Sequence, residues 1–202
     1  MLLNSLLITI FSPLALAASP LGGGKWNKVK PHLNPQQCAG GQINGDVFYL
    51  PPKANGYKVG SGCRNGHLRA EFGSKDHYTT GVHQFTGKFI INSFKGDRIS
   101  LKQTIGNKGA WFMLAADNNG NLYGVGGRGV IAEGVAKVGA TVTVNTIHDA
   151  GTGSYQVYIN GEKRYSTTSP RDVWGDKYGA YATVTGSGPI TVTWTDVEFY
   201  TR

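Results

Sequence analysis

The chain has 202 residues, of which 40% are hydrophobic, 11% aromatic and 16% charged. That balance excludes a disordered chain, and 30 glycines among many Thr, Val and Tyr exclude a coiled coil or helical bundle. Lys and Arg number 20 against 12 Asp and Glu, a formal charge of +8 that favours a polyanionic partner.

The first segment, Met1–Ala17, carries no Lys, Arg, Asp or Glu. Leu2, Leu3, Leu6, Leu7, Ile8, Ile10 and Phe11 form an apolar run, and Ala15-Leu16-Ala17 supplies the small residues that a signal peptidase accepts. The run falls short of the ~20 apolar residues a membrane span needs. A leader cleaved after Ala17, and a single secreted, extracellular domain over 18–202, are therefore expected. Two cysteines remain, Cys38 and Cys63. Their spacing fits no zinc or redox motif, so in an oxidising compartment a structural disulfide is expected.

From Ser19 to Gly66 the chain is rich in Gly, Pro, Asn and Lys, with one strand-like run at Val47–Leu50. Strand patterns then follow one another: His67–Phe72, Gly81–Phe94 with a break near Gly87, Ile99–Ile105, Ala110–Ala116 and Leu122–Val125. Next come Ala140–His148, Ser154–Ile159, Tyr178–Val184 and Ile190–Tyr200. Turns at Asp117–Asn121, Asp149–Gly153, Asn160-Gly161 and Thr185–Pro189 separate several of them. A helical turn is expected only near Ser169–Trp174. Many short strands without helical periodicity predict an all-β domain of two packed antiparallel sheets, a sandwich or jelly roll.

The basic residues are dispersed (Arg69, Lys88, Lys95, Arg98, Lys102, Lys108, Arg128, Lys163, Arg164, Lys177) with no polybasic block. That pattern argues against a membrane-binding tail and, weakly, against a nucleic-acid arm. It is read either as a basic surface kept for solubility or as the face of a monomer that meets an acidic polysaccharide, the expected functional partner. Asp117, Asn119 and Asn121 alternate without a following bidentate Glu, so they predict a turn rather than a calcium loop. Gly124–Gly129 precedes no helix and predicts a loop, not a phosphate cradle. No metal site is expected.

Three strands alternate polar with apolar residues in a way that suits a wet sheet face. Arg69 and Glu71 share a face, Gln103 lies opposite Lys102, and Lys177, Gly179 and Tyr181 share a face. Leu68-Arg69-Ala70-Glu71-Phe72, Gln103 and Lys177-Tyr178-Gly179-Ala180-Tyr181 resemble the Arg-x-Glu-Leu, Gln-x-His and Lys-Ala-Gly-x-Tyr signatures of alginate-lyase-type polysaccharide lyases. These are families seven and twenty, the latter including glucuronan lyases. The likeness spans roughly residues 64 to 202 and includes Tyr155–Gly161 and the closing Val192–Tyr200.

The resemblance implies a concanavalin-A-like jelly roll that cleaves a polyuronate, glucuronan or alginate, by β-elimination. It implies no organic cofactor, with a structural calcium known among relatives. Arg69 and Gln103 would bind and neutralise the sugar carboxylate, and Tyr181 would be general base and then acid. Lys177 would sit near the phenol and favour its ionised form, and Glu71 would orient Arg69. Two positions depart from the pattern: Ile105 stands where family seven has His, and Gly73 stands where it has a second Arg. His83 or His77 is a candidate to replace the missing imidazole. The alternatives are a non-catalytic carbohydrate-binding jelly roll and a secreted glycan-binding effector. A neutral-glucan hydrolase would need a carboxylate pair across the groove, which the sequence does not offer.

Overall fold

The structure, a computed structural model, describes residues 19–183 and 188–202. The expected leader and residues 185–187 of the expected Thr185–Pro189 turn lie outside the described residues. In chain order the strands are β1 (Asn27–Val29), β2 (Leu33–Cys38), β3 (Gln42–Asn44), β4 (Val47–Leu50) and β5 (Lys58–Val59). They continue with β6 (Leu68–Ser74), β7 (Val82–Phe94), β8 (Arg98–Gly106), β9 (Gly109–Asp117), β10 (Leu122–Gly124) and β11 (Val130–Ala132). The last five are β12 (Thr141–Asp149), β13 (Ser154–Ile159), β14 (Glu162–Thr168), β15 (Gly175–Ala182) and β16 (Ile190–Thr201). No helix occurs among the described residues.

Two antiparallel sheets pack face to face. The first runs β14-β13-β12-β7-β16-β4-β3, with β1 added beside β16. The second runs β11-β10-β9-β8-β15-β6-β2-β5. Period-two alternation builds the core between them. Leu68 and Ala70 of β6, Tyr178, Ala180 and Ala182 of β15, and Phe112 and Leu114 of β9 meet Phe85, Phe89, Val142, Tyr155 and Trp194 of the first sheet. The same alternation turns Arg69, Glu71, Gln103, Lys177 and Tyr181 to the outer face of the second sheet.

Several expectations change. β7 runs unbroken through Gly87, because that glycine makes room for a ring rather than a bend: a Cβ there would lie 3.1 Å from Trp194. The segment Ser169–Trp174 holds no helical turn; Trp174 instead pairs with Tyr78 through backbone bonds of 2.8 and 2.9 Å. β1, β2, β3, β5, β11 and β14 have no counterpart in the sequence pattern. Cys38 and Cys63 are bonded, and the bridge ties the end of β2 to the segment entering β6. Asp117 closes its turn by accepting the Asn119 and Asn121 amides, each at 2.9 Å.

Candidate functional site

β15 is the central strand of the site, flanked by β8 and β6. Its register sets Lys177 beside Gln103 and Gly73, Gly179 beside Glu71, and Tyr181 beside Arg69 and Ser100. Gly179 has a φ of 140°, and a Cβ there would lie 2.3 Å from the Ala70 carbonyl oxygen. No other residue fits. Without a side chain at 179, the Glu71 carboxylate on β6 reaches across β15 to accept from Gln103 Nε2 on β8.

That carboxylate organises the cluster. Glu71 is fully buried and also accepts from Arg69 Nη1 at 2.8 Å. Burial pushes its carboxyl up from the usual range, against the opposing pull of Arg69 and Lys177. Gln36 on β2 completes the network, its Oε1 accepting from Lys177 Nζ at 2.8 Å and from Arg69 at 3.4 Å. Burial holds the Lys177 ammonium below its usual value, with Glu71 countering.

Tyr181 stands at one end of this row. The Arg69 guanidinium lies 4.6 Å over its ring, and the His67 Nδ1 is in hydrogen-bond contact with its phenol oxygen. Desolvation raises the phenol's pKa, with Arg69 and a hydrogen bond from the Asn65 side chain pulling the other way. The resting group is therefore a neutral phenol. A narrow groove of about 90 Å³ runs from Tyr181 past Ser100, Met113, Ala115 and Tyr123. Two donors flanking Tyr181, Arg69 Nε and Ser100 Oγ, have no hydrogen-bond partner among the described residues. Each such orphan costs about 1–3 kcal/mol.

Arg69, Glu71, Gln103, Lys177 and Tyr181 thus come together on one face, but two expected roles change. Lys177 stands four residues along β15 from Tyr181 and acts on Glu71 and Gln36 rather than on the phenol. Glu71 keeps its place beside Arg69 and, with no exposed surface to offer a substrate, also holds Gln103. His83 lies on β7 of the other sheet, stacked on Tyr78 at 3.6 Å and donating to the Thr80 carbonyl at 2.9 Å. It lines a separate hollow of about 230 Å³ with Asp76, His77, Tyr78 and Asp176. His77 borders that hollow and packs against Gly175, at the opposite end of β15 from Tyr181. Sequence reading missed His67, Gln36, Asn65 and Ser100. Gln36 and Asn65 sit outside the expected strand patterns, and His67, expected to open the strand His67–Phe72, lies in the loop just before β6.

Among the described residues, no group of three or more His, Cys, Asp or Glu is placed to hold a metal ion. No protein-family model and no curated protein matches the sequence. Solved structures do match. The alginate lyase AlgAT5 from polysaccharide lyase family 7 aligns with a TM-score of 0.65 over 80% of this chain and 82% of its own, at 16% identity. An alginate lyase from Pseudomonas aeruginosa gives 0.65 over 80% and 86%, at 13% identity. A family 7 alginate lyase in complex with substrate (GGMG) gives 0.65 over 84% and 92%, at 15% identity. The chain has the alginate-lyase fold. In that jelly roll the sheet β11-β10-β9-β8-β15-β6-β2-β5 carries Gln36, Arg69, Glu71, Ser100, Gln103, Lys177 and Tyr181, and the loop before β6 adds Asn65 and His67.

Proposed function

We propose that the protein is a secreted polysaccharide lyase that cleaves a polyuronate, glucuronan or alginate, by β-elimination. One observation carries this reading. Within a fold shared with alginate lyases, a guanidinium, an amide and a phenol from three adjacent strands converge on one sheet face. The substrate and product complexes among the similar structures support a polysaccharide partner.

The chemistry explains the residue set. The C5 proton of a uronate is weakly acidic because its loss adds negative charge next to a carboxylate. Fixed positive charge and donors at that carboxylate lower the barrier. Arg69 and Gln103, both held by Glu71, supply them. Tyr181 moves the proton: the C5–H bond breaks, a C4=C5 double bond forms, the C4–O4 bond breaks, and the proton ends on the departing O4. No organic cofactor is needed for this sequence of bonds. Export through removal of the leader after Ala17 accords with the Cys38–Cys63 disulfide, which requires an oxidising compartment.

The test is incubation of the chain lacking the leader with glucuronan, polymannuronate and polyguluronate, following ultraviolet absorbance of the unsaturated ends. A rise is expected on at least one polymer, and Tyr181→Phe should lower the rate by about 10²–10⁴-fold while the circular dichroism spectrum stays unchanged. No rise on any of the three refutes the reading. Retained binding in that case would favour the carbohydrate-binding alternative.

A further inference from the structure

We propose that His67 is the proton acceptor that activates Tyr181, delivered to the phenol by the disulfide-pinned loop; this rests on the lyase reading above. The geometry is specific. The imidazole Nδ1 contacts the phenol oxygen directly, with the two rings 5.6 Å apart and inclined at 51°. The His67 backbone N–H donates to Asn65 Oδ1 at 3.2 Å, and the Asn65 side chain also bonds the phenol. Both residues belong to the segment that Cys63 ties to Cys38, and Cys38 pairs with Arg69 in the β2–β6 ladder. A covalent staple therefore fixes the imidazole relative to Tyr181 and its guanidinium neighbour.

The chemistry requires such a group. A neutral phenol must lose its proton before it can remove another. Arg69 and Lys177 are cations. The Glu71 carboxylate is occupied by Arg69 and Gln103, and the charges that act on the phenol are Arg69 and Glu71 of β6. His67 is the basic group in contact with the phenol oxygen. Position 105, where the resembling family carries His, holds an Ile paired with Gly175, six residues along β15 from Tyr181. At about 3.3 Å per residue that is roughly 20 Å away. The imidazole in this chain reaches the phenol from the opposite end of the strand.

The steps balance. The Tyr181 O–H proton passes to His67 Nδ1, leaving a phenolate beside an imidazolium. The phenolate takes the C5 proton, the electrons of the C5–H bond form C4=C5, and C4–O4 breaks. Tyr181 then gives the proton to O4, and the imidazolium returns its own to the phenolate as product leaves. His67 ends neutral and no external base is consumed.

The experiment compares wild type, His67→Gln and His67→Asn on whichever polyuronate the wild type cleaves, across a pH series, with melting temperatures measured in parallel. The expected result is a kcat lower by about 10²-fold, a KM within about threefold, and an unchanged melting temperature. The pH profile of kcat should change in both variants, with the residual activity moving to more alkaline pH, where solvent can ionise the phenol. Wild-type kcat and pH profile in both variants overturn the assignment while leaving the lyase reading intact. A lower kcat with an unchanged profile makes His67 a structural prop and also overturns it. No turnover by the wild type on any polyuronate refutes the lyase reading, and the His67 role with it.

Discussion

Breaking the Cys38–Cys63 bridge should cost the domain a calculable share of its stability. The bridge closes a loop with a sequence separation of 25 residues. In the chain-entropy treatment, a loop of that length limits the unfolded chain enough to contribute about 3.5 kcal/mol at 25 °C. For a domain of this size each kcal/mol moves the melting temperature by about 2–4 °C, so reduction should lower it by about 7–14 °C. Urea titration of the oxidised protein, the reduced protein and a Cys38→Ala/Cys63→Ala variant measures this directly. Because the bridge acts on the unfolded chain, its loss should raise the m-value as the released chain exposes more surface. The paired alanine variant should fall slightly further than the reduced protein, since Cys38 is 1% exposed and its sulfur fills part of the core. A loss below about 1 kcal/mol on reduction, with an unchanged m-value, would refute the reasoning and mean that the loop is already held by its other contacts.

Gly179→Ala should be among the most damaging substitutions in the chain, because it sets a Cβ 2.3 Å from a backbone oxygen at a positive φ; a loss of about 3 kcal/mol or more in urea titration is expected. Gln103→Ala removes a donor and leaves Glu71 Oε1 without its partner; kcat/KM on the cleaved polyuronate should drop by about 10²–10³-fold with the fold retained by circular dichroism. His148 is 2% exposed and bonds Tyr78 at 3.0 Å and Ser169 at 2.8 Å, and burial pushes it down to about 4. Its folded value lies below its unfolded one, so its stability contribution is present above pH 6.5 and is lost as pH falls towards 4, by about 3 kcal/mol in all. The wild type should therefore lose more stability over that window than His148→Gln, and equal pH slopes in urea titration would contradict the assignment.

The sequence made legible those parts of the site that obey strand alternation. Leu68 and Ala70 alternate with Arg69 and Glu71, and Tyr178 and Ala180 with Lys177 and Tyr181, so their opposing faces follow from period two alone. His67 and Asn65 lie ahead of β6, outside the ladder that would fix their direction. They sit in a loop whose path is set by a disulfide and by turns at Gly60, Gly62 and Gly66, all at positive φ, and only the folded chain shows where it ends. Gln36 was hidden in Leu-Asn-Pro-Gln-Gln-Cys, where Pro35 disguised a strand that nevertheless pairs with β6 along its whole length. His83 misled for a topological reason. It is close to Arg69 in sequence, but the chain runs the length of β6 and crosses to the other sheet before β7, so His83 ends in the hollow beside Ser74 and Asp176, at the end of β15 away from Tyr181.

Consecutive residues on the same two strands build both the core and the site, and this couples them. On β8, Lys102 and Thr104 point inward while Gln103 points out; on β15, Asp176 and Tyr178 point inward while Lys177 points out. Inside, fully buried Lys102 donates to Asp176 at 2.6 Å and to Thr104 Oγ1 at 3.2 Å, and Thr104 meets the Tyr155 hydroxyl of the opposite sheet at 2.9 Å. Burial lowers the Lys102 pKa in spite of Asp176, so the pair returns little net stability. What it does oppose is slippage. Moving β8 by one residue against β15 would bury Gln103, expel Lys102 and strand the Asp176 carboxylate inside the sandwich without its cation. The pairing that satisfies the interior is also the pairing that sets Gln103 beside Lys177 and Ser100 beside Tyr181. The geometry of the outer face is thus held from within, by charges that no substrate touches.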